Sequence, residues 1–266
     1  MSSLATILAS PASGVSEAVA GYPIGRGDGV NSVFTVPSEI TAVSSLYRRD
    51  WQGTVALSQS ARTNSCGRSN PLLADLSGAS ATVTQGNITD HGLSNGITFP
   101  VAAQDDFAFK AVTVSVGQKI AASFFVKMTD GGLPVVGPES GKDFSIYIGS
   151  KEQPAGLCAV KDLGSGLYKI LYYTGSLATQ SGAAFGPQRS GKHSGRGFTI
   201  TGYHIEINSS GDTVGSYIPT TTAPVTVTDY AATGNTITLA EAPAFAAELT
   251  VDGTGVNLPL LQIGGY

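Results

Sequence analysis

Over much of this chain apolar and polar side chains alternate one for one, the two-residue period of a strand with one face against a core. Val112, Val114 and Val116 alternate with Thr113 and Ser115; after Gly117-Gln118, Ala122, Phe124, Val126 and Met128 alternate with Ser123, Phe125 and Lys127. The pattern predicts two antiparallel strands joined by a turn, each with one buried face. Phe144, Ile146 and Ile148 mark another such face, and Leu167-Tyr168-Lys169-Ile170-Leu171-Tyr172-Tyr173 another strand. Val33-Phe34-Thr35-Val36 is stopped by Pro37, which has no N–H for a ladder. Ile237 and Leu239 alternate with Thr236 and Thr238, and Leu249 with Val251 repeats the pattern after a Pro-containing turn. One segment changes phase: Phe198 and Ile200 are even-numbered, but Tyr203, Ile205 and Ile207 are odd. A one-residue slip moves side chains to the opposite face, so a bulge is expected at Gly202. His204, beside Ile205, is then expected to point to solvent. A short helix is expected around Val15-Ser16-Glu17-Ala18-Val19.

Composition agrees with a loop-rich all-β chain: 34 glycines, 13 prolines and only 13% charged residues among 266. A net charge of −4 repels other copies weakly, which suits assembly with further subunits. With no basic block, nucleic acid is not an expected partner. No apolar run is long enough for a transmembrane helix, so no membrane insertion is expected. The opening Met1-Ser2-Ser3-Leu4-Ala5-Thr6-Ile7-Leu8 lacks a cationic start and long apolar run, so export on a signal peptide is not expected. Cys66 and Cys158 read as reduced thiols of a protein made in a cytoplasm, with a single bridge between them left open.

Two short stretches bracket the middle of the chain. Ser60-Ala61-Arg62-Thr63-Asn64 follows Asp50-Trp51-Gln52-Gly53, and Ser216-Tyr217-Ile218-Pro219-Thr220 follows the run Tyr203-His204-Ile205-Glu206-Ile207. Together they resemble the opening "RTN" and closing "SYIPT" signatures of a carbohydrate-binding-like β-sandwich module common in tailed-bacteriophage tail fibres and related virion proteins. Gly27-Asp28-Gly29 with Val33-Phe34-Thr35-Val36, and Asp229-Tyr230 through Glu248-Leu249-Thr250-Val251, resemble the two halves of a small β-module of phage fibres. The resemblance implies an all-β protein: a jelly-roll-like antiparallel sandwich, residues 59–222, inserted into a small split β-domain of residues 22–58 and 223–254. Residues 1–21 then read as an N-terminal attachment arm and 255–266 as an apolar C-terminal tail that needs a neighbouring subunit to lie on. After Arg62-Thr63-Asn64 the stretch Ser65-Cys66-Gly67-Arg68 departs from the family pattern, which carries an apolar run and a tryptophan there.

Catalytic and metal-binding patterns are missing. His91, His193 and His204 have no partner at ligand spacing, no CxxC is present, and no metal or other cofactor is expected. No nucleophile elbow or Walker loop occurs. Glycan hydrolysis needs a spaced carboxylate pair; Asp105-Asp106 and Asp143 are the candidates, with the two adjacent aspartates also readable as a solvated turn. Arg26-Gly27-Asp28 reads as a turn before a strand rather than an adhesion tripeptide. The segment 180–197 carries Arg189, Lys192, His193 and Arg196 between two predicted strands, where loops on a rigid sandwich commonly bind. Its cations suit anionic sugars or lipopolysaccharide phosphates, and the candidate ligand set is Arg189, Lys192, His193, Arg196, Tyr173, Asp105 and Asp106. Trp51 is expected to pack the junction between domains.

The resulting expectation is a non-enzymatic tail or tail-fibre structural protein of a phage virion, a homotrimer made in the host bacterial cytoplasm. Its partners would be other tail or baseplate proteins, and its sandwich would either bind host-surface glycan or lipopolysaccharide or serve as a connector. The alternatives are a capsid decoration or adaptor protein and a capsule-degrading depolymerase.

Overall fold

The computed structural model describes residues 16–76, 82–100, 110–115, 117–137, 141–148, 151–152, 158–174, 183–187, 195–207 and 215–255. The chain is all-β, with sandwich-like antiparallel sheets; among the described residues the helical elements are two three-residue 3-10 turns, Leu73–Asp75 and Asp90–Gly92. It divides into two compact units, Met1–Ser60 with Thr228–Tyr266, and Ala61–Val227 inserted between them.

In the discontinuous unit the late strand Glu248–Gly255 lies between Glu17–Arg26 and Ile40–Asp50, with Gly53–Leu57 beyond. A second sheet orders Tyr230–Thr233, Thr236–Leu239 and Val33–Thr35. The alternation read in the sequence is what builds its core: Leu46, Leu249 and Val251 are fully buried, with Phe34, Ile237 and Leu239 almost so. The short helix expected near Val19 is absent. Glu17, Ala18 and Val19 pair with Gly255, Thr254 and Gly253, because a partner strand satisfies their backbone and the core takes the Val19 side chain.

The inserted unit carries a six-stranded sheet in the order Cys158–Asp162, Leu167–Thr174, Ile120–Met128, Phe198–Ile207, Gly96–Phe99, Thr84–Gly86. A four-stranded sheet orders Lys151–Glu152, Phe144–Ile148, Ala183–Pro187 and Lys110–Val112. The two share one core. Phe144 of the smaller sheet meets Phe124 and Phe198 of the larger at ring-centroid distances of 5.7 and 4.6 Å.

Three sequence expectations are corrected here. The turn at Gly117-Gln118 exists, held by Gln118 N–H to Ser115 O at 3.2 Å, but the segments it joins do not pair with each other. Lys110–Val112 pairs with Ala183–Pro187 and Ile120–Met128 pairs with strands of the other sheet, so the turn is a crossing between layers. Second, Ile120–Met128 is buried on both faces, since Ala121, Ser123 and Phe125 are as inaccessible as Phe124 and Val126. Third, His204 is fully buried instead of solvated, for the same reason: a further layer covers this face of the sheet. The bulge at Gly202 is present. Pairing of Phe198–Ile207 with Ile120–Met128 slips between Thr201 and His204, Gly202 has φ +63°, and a Cβ there would stand 2.3 Å from the Phe125 ring. Both cysteines are free thiols, so the bridge left open by the sequence is not formed; burial pushes Cys158 up to about 12.

Candidate functional site

Of the residues expected to meet a ligand, Asp105, Asp106, Arg189, Lys192 and His193 lie outside the described residues. Tyr173, half-buried, stands opposite Ala121 in the six-stranded sheet. Arg196 is committed inside the fold. Its guanidinium donates to both carboxylate oxygens of Asp130 at 2.8 Å, to Asp143 Oδ2 at 2.8 Å and to the Leu133 carbonyl at 2.9 Å. Those hydrogen bonds hold the Asp130 carboxyl down at about 2. Asp143 is fully buried and also accepts from the Val135 N–H, so it faces no groove. Arg196 and Asp143 therefore tie loops to the sandwich, and the geometry does not bring Arg196 and Tyr173 together with a shared ligand space.

The layer that covers His204 is made by the two signature stretches. Asn64 is fully buried and makes four hydrogen bonds: its amide donates to Tyr203 O and Ile218 O, and its carbonyl accepts from the Cys66 and Ile205 N–H groups. Arg62 reaches Glu206 at 2.5 Å and Ser216 Oγ at 2.8 Å. His204 Nε2 lies 3.2 Å from Glu206 Oε1, Lys169 sits over the Phe125 ring at 5.5 Å, and Tyr217 packs edge-on against Phe125. Burial drives the His204 pKa down, against the raising effect of Glu206; neighbouring Arg62 and Lys169 push it the same way as burial. Glu206 is held below its ordinary value by His204 and Arg62, which outweigh its desolvation. Thr220 and Ser69 finish the seam, Thr220 N–H donating to Ser69 Oγ at 2.7 Å. This network is largely shielded from solvent and acts as the lock of the sandwich.

An open groove of about 440 Å³ lies instead on the discontinuous unit, lined by Arg49, Asp50, Trp51, Glu248 and the 244–247 turn. Trp51, expected at a domain junction, is half-buried in the Trp51-Gln52 turn and contributes to this wall. Phe245 is 85% exposed. Its turn is fixed from behind: Gly27 N–H donates to Ala247 O, Gly29 N–H to Pro243 O, and Ala246 N–H to Gly27 O, at 2.7–3.0 Å. Gly27 is needed there, since a Cβ would come 2.2 Å from Ala244 O. Ala246 holds φ +64°, a left-handed conformation that a side chain rarely adopts without surrounding constraint. The Gly25-Arg26-Gly27-Asp28-Gly29 stretch thus shapes a turn, and Asp28 caps it by accepting from the Val30 and Asn31 N–H groups, which lower its pKa. Sequence reasoning missed Phe245. The available signal was a lone aromatic among alanines just after Pro243.

The charged groups of the groove differ in how tightly they are held. Asp50 is 2.7 Å from Arg48 Nε and caps its own turn through the Gln52 N–H. Glu248 is 3.0 Å from Arg26, whereas Arg49 reaches Glu248 only at 3.9 Å.

No protein-family model and no curated protein matches this chain. Among solved structures it is similar to an arabinose-bound α-L-arabinofuranosidase, at a TM-score of 0.32 and 12% identity, over 73% of this chain. The chain spans about a third of that structure's length (32%), and a likeness this slight transfers neither fold nor activity.

Proposed function

We propose that this chain is a non-enzymatic structural protein of a tailed-phage tail or tail fibre, assembling as a homotrimer with other virion proteins and contributing to contact with host-surface glycan. The supporting observation is the interlock of the two signature stretches. Asn64 of the first donates to Ile218 O of the second at 2.7 Å across 154 residues, and Arg62 reaches Ser216, so the stretches that carry the family resemblance act as one structural device. The insertion of one compact unit between two halves of another, the arrangement expected from the two matching halves in this sequence, accords with it. The depolymerase alternative leaned on Asp143 as half of a carboxylate pair, and that carboxylate is buried against Arg196.

Light scattering tests this reading on the purified chain and on one lacking residues 256–266. A trimer is expected, dissociating when the apolar tail is removed. A monomer in both cases would overturn the fibre reading and favour a head-decoration or adaptor role.

A further inference from the structure

We propose that the groove between the turn carrying Trp51 and the turn carrying Phe245 is a saccharide site that takes a pyranose bearing a carboxylate. The inference deepens the glycan-contact part of the proposed function and rests on that reading only for the saccharide being one displayed on a host surface. The site itself is argued from its own residues.

Phe245 is the first point. A phenylalanine left 85% exposed on a turn that is hydrogen-bonded from behind is held out to solvent by design of the backbone, and the strained Ala246 beside it shows the surrounding structure imposing that shape. Trp51 lines the same groove. Indole and phenyl faces carry negative π-density that suits the weakly positive C–H faces of a sugar ring.

The polar groups supply the rest of the recognition. Glu248 offers acceptor oxygens to hydroxyls, and Arg49 offers the five-donor fork that pairs with a carboxylate through two parallel hydrogen bonds. Arg49 is the lining arginine least committed to a partner: Asp50 is taken up by Arg48 at 2.7 Å and Glu248 by Arg26 at 3.0 Å, while the Arg49 head is 72% exposed and 3.9 Å from Glu248. A volume of about 440 Å³ lies in the range of small-ligand sites, roughly 300–1,000 Å³.

The test is an array of acidic and neutral glycans probed with the full-length protein, followed by titration calorimetry with a tetrasaccharide alternating glucuronate and N-acetylglucosamine and with a neutral N-acetylglucosamine oligomer of the same length. Acidic glycans are expected to bind, the neutral oligomer more weakly, and Phe245→Ala and Arg49→Ala each to weaken the acidic one about tenfold or more, the worth of one good contact. Both side chains are mostly in water, so both variants fold, which circular dichroism checks. Leu133→Ala, an exposed position of the inserted unit, leaves the affinity unchanged. No binding across the array, binding indifferent to Phe245→Ala and Arg49→Ala, or equally tight binding of an acidic peptide of the same charge would each overturn the site. A monomer by light scattering that still binds the acidic tetrasaccharide would sink the fibre reading and leave this one standing; a trimer that binds nothing would do the reverse.

Discussion

Two arginine–glutamate pairs in this molecule have the same chemistry and opposite fates. Arg62 and Glu206, in the inserted unit, are 2.5 Å apart with side chains 10% and 8% exposed. Arg49 and Glu248, in the discontinuous unit, are 3.9 Å apart and 72% and 40% exposed. A desolvated pair has no water to fall back on, so its partners are fixed to each other and become part of the fold. A wet pair gains little from its partner and keeps most of its hydrogen-bonding capacity for something else. Residue type alone therefore does not separate a lock from a binding site; burial does. Arg196, drawn from a loop whose composition suggests ligand binding, falls on the lock side because Asp143 behind it is fully buried.

The comparison breaks most directly at Arg62. Arg62→Met leaves Glu206 buried without its closest partner, and loss of one member of a buried pair costs about 3–5 kcal/mol. Chemical denaturation of the full chain should show that loss in the transition of the inserted unit, with most of it recovered when Glu206→Leu is added, since an apolar pair of similar volume is nearly neutral. A single variant that unfolds within about 1 kcal/mol of the parent would mean that water or another group replaces Arg62, and the lock description would fail.

A smaller effect follows from His204. Its pKa is lowered from 6.5 in the folded chain, chiefly by burial, while Arg62 and Lys169 add to the effect and Glu206 opposes it. In the window below about 6.5 the unfolded chain therefore binds the proton that the folded chain refuses, and stability falls as pH falls. Denaturation midpoints measured from pH 7.5 to 5 should decline, and His204→Gln should flatten the decline over that interval. The groups held down by partners, Asp130 and Glu206, act only at lower pH, where protonation of carboxylates begins. A parent slope unchanged in His204→Gln would remove His204 from the lock.

How far the sequence reveals these two regions follows from what each one uses. Period-two alternation exposes Leu249, Val251, Ile237 and Leu239 because each strand of the small unit buries one face, and the phase change at Gly202 exposes a bulge. The same rule fails for His204, Ser123 and Phe125, since their strands are covered on both faces, and the covering residues Asn64 and Tyr217 come from far along the chain. Lys169 gave a local hint: it sits in an otherwise unbroken apolar run, the pattern of a strand buried on both sides. The pairing of Arg62 with Glu206 joins residues 144 positions apart and leaves no periodic trace. The groove is legible only in fragments, because Trp51 and Phe245 belong to turns whose proximity is created by the pairing of Glu248–Gly255 with Ile40–Asp50.

The least perturbing change sharpens the comparison from its other side. Arg49→Ala removes a pair that is already mostly solvated, and Glu248 keeps Arg26 at 3.0 Å, so no buried charge is orphaned. Stability should change by less than about 0.5 kcal/mol, the range of exposed ion pairs, which for a chain of this size corresponds to roughly 1–2 °C in Tm. Differential scanning fluorimetry resolves that from the several-degree fall expected for Arg62→Met. Should Arg49→Ala destabilise as much as Arg62→Met, Arg49 would be holding the Trp51 and Phe245 turns together, and its exposed guanidinium would belong to the fold rather than to a ligand.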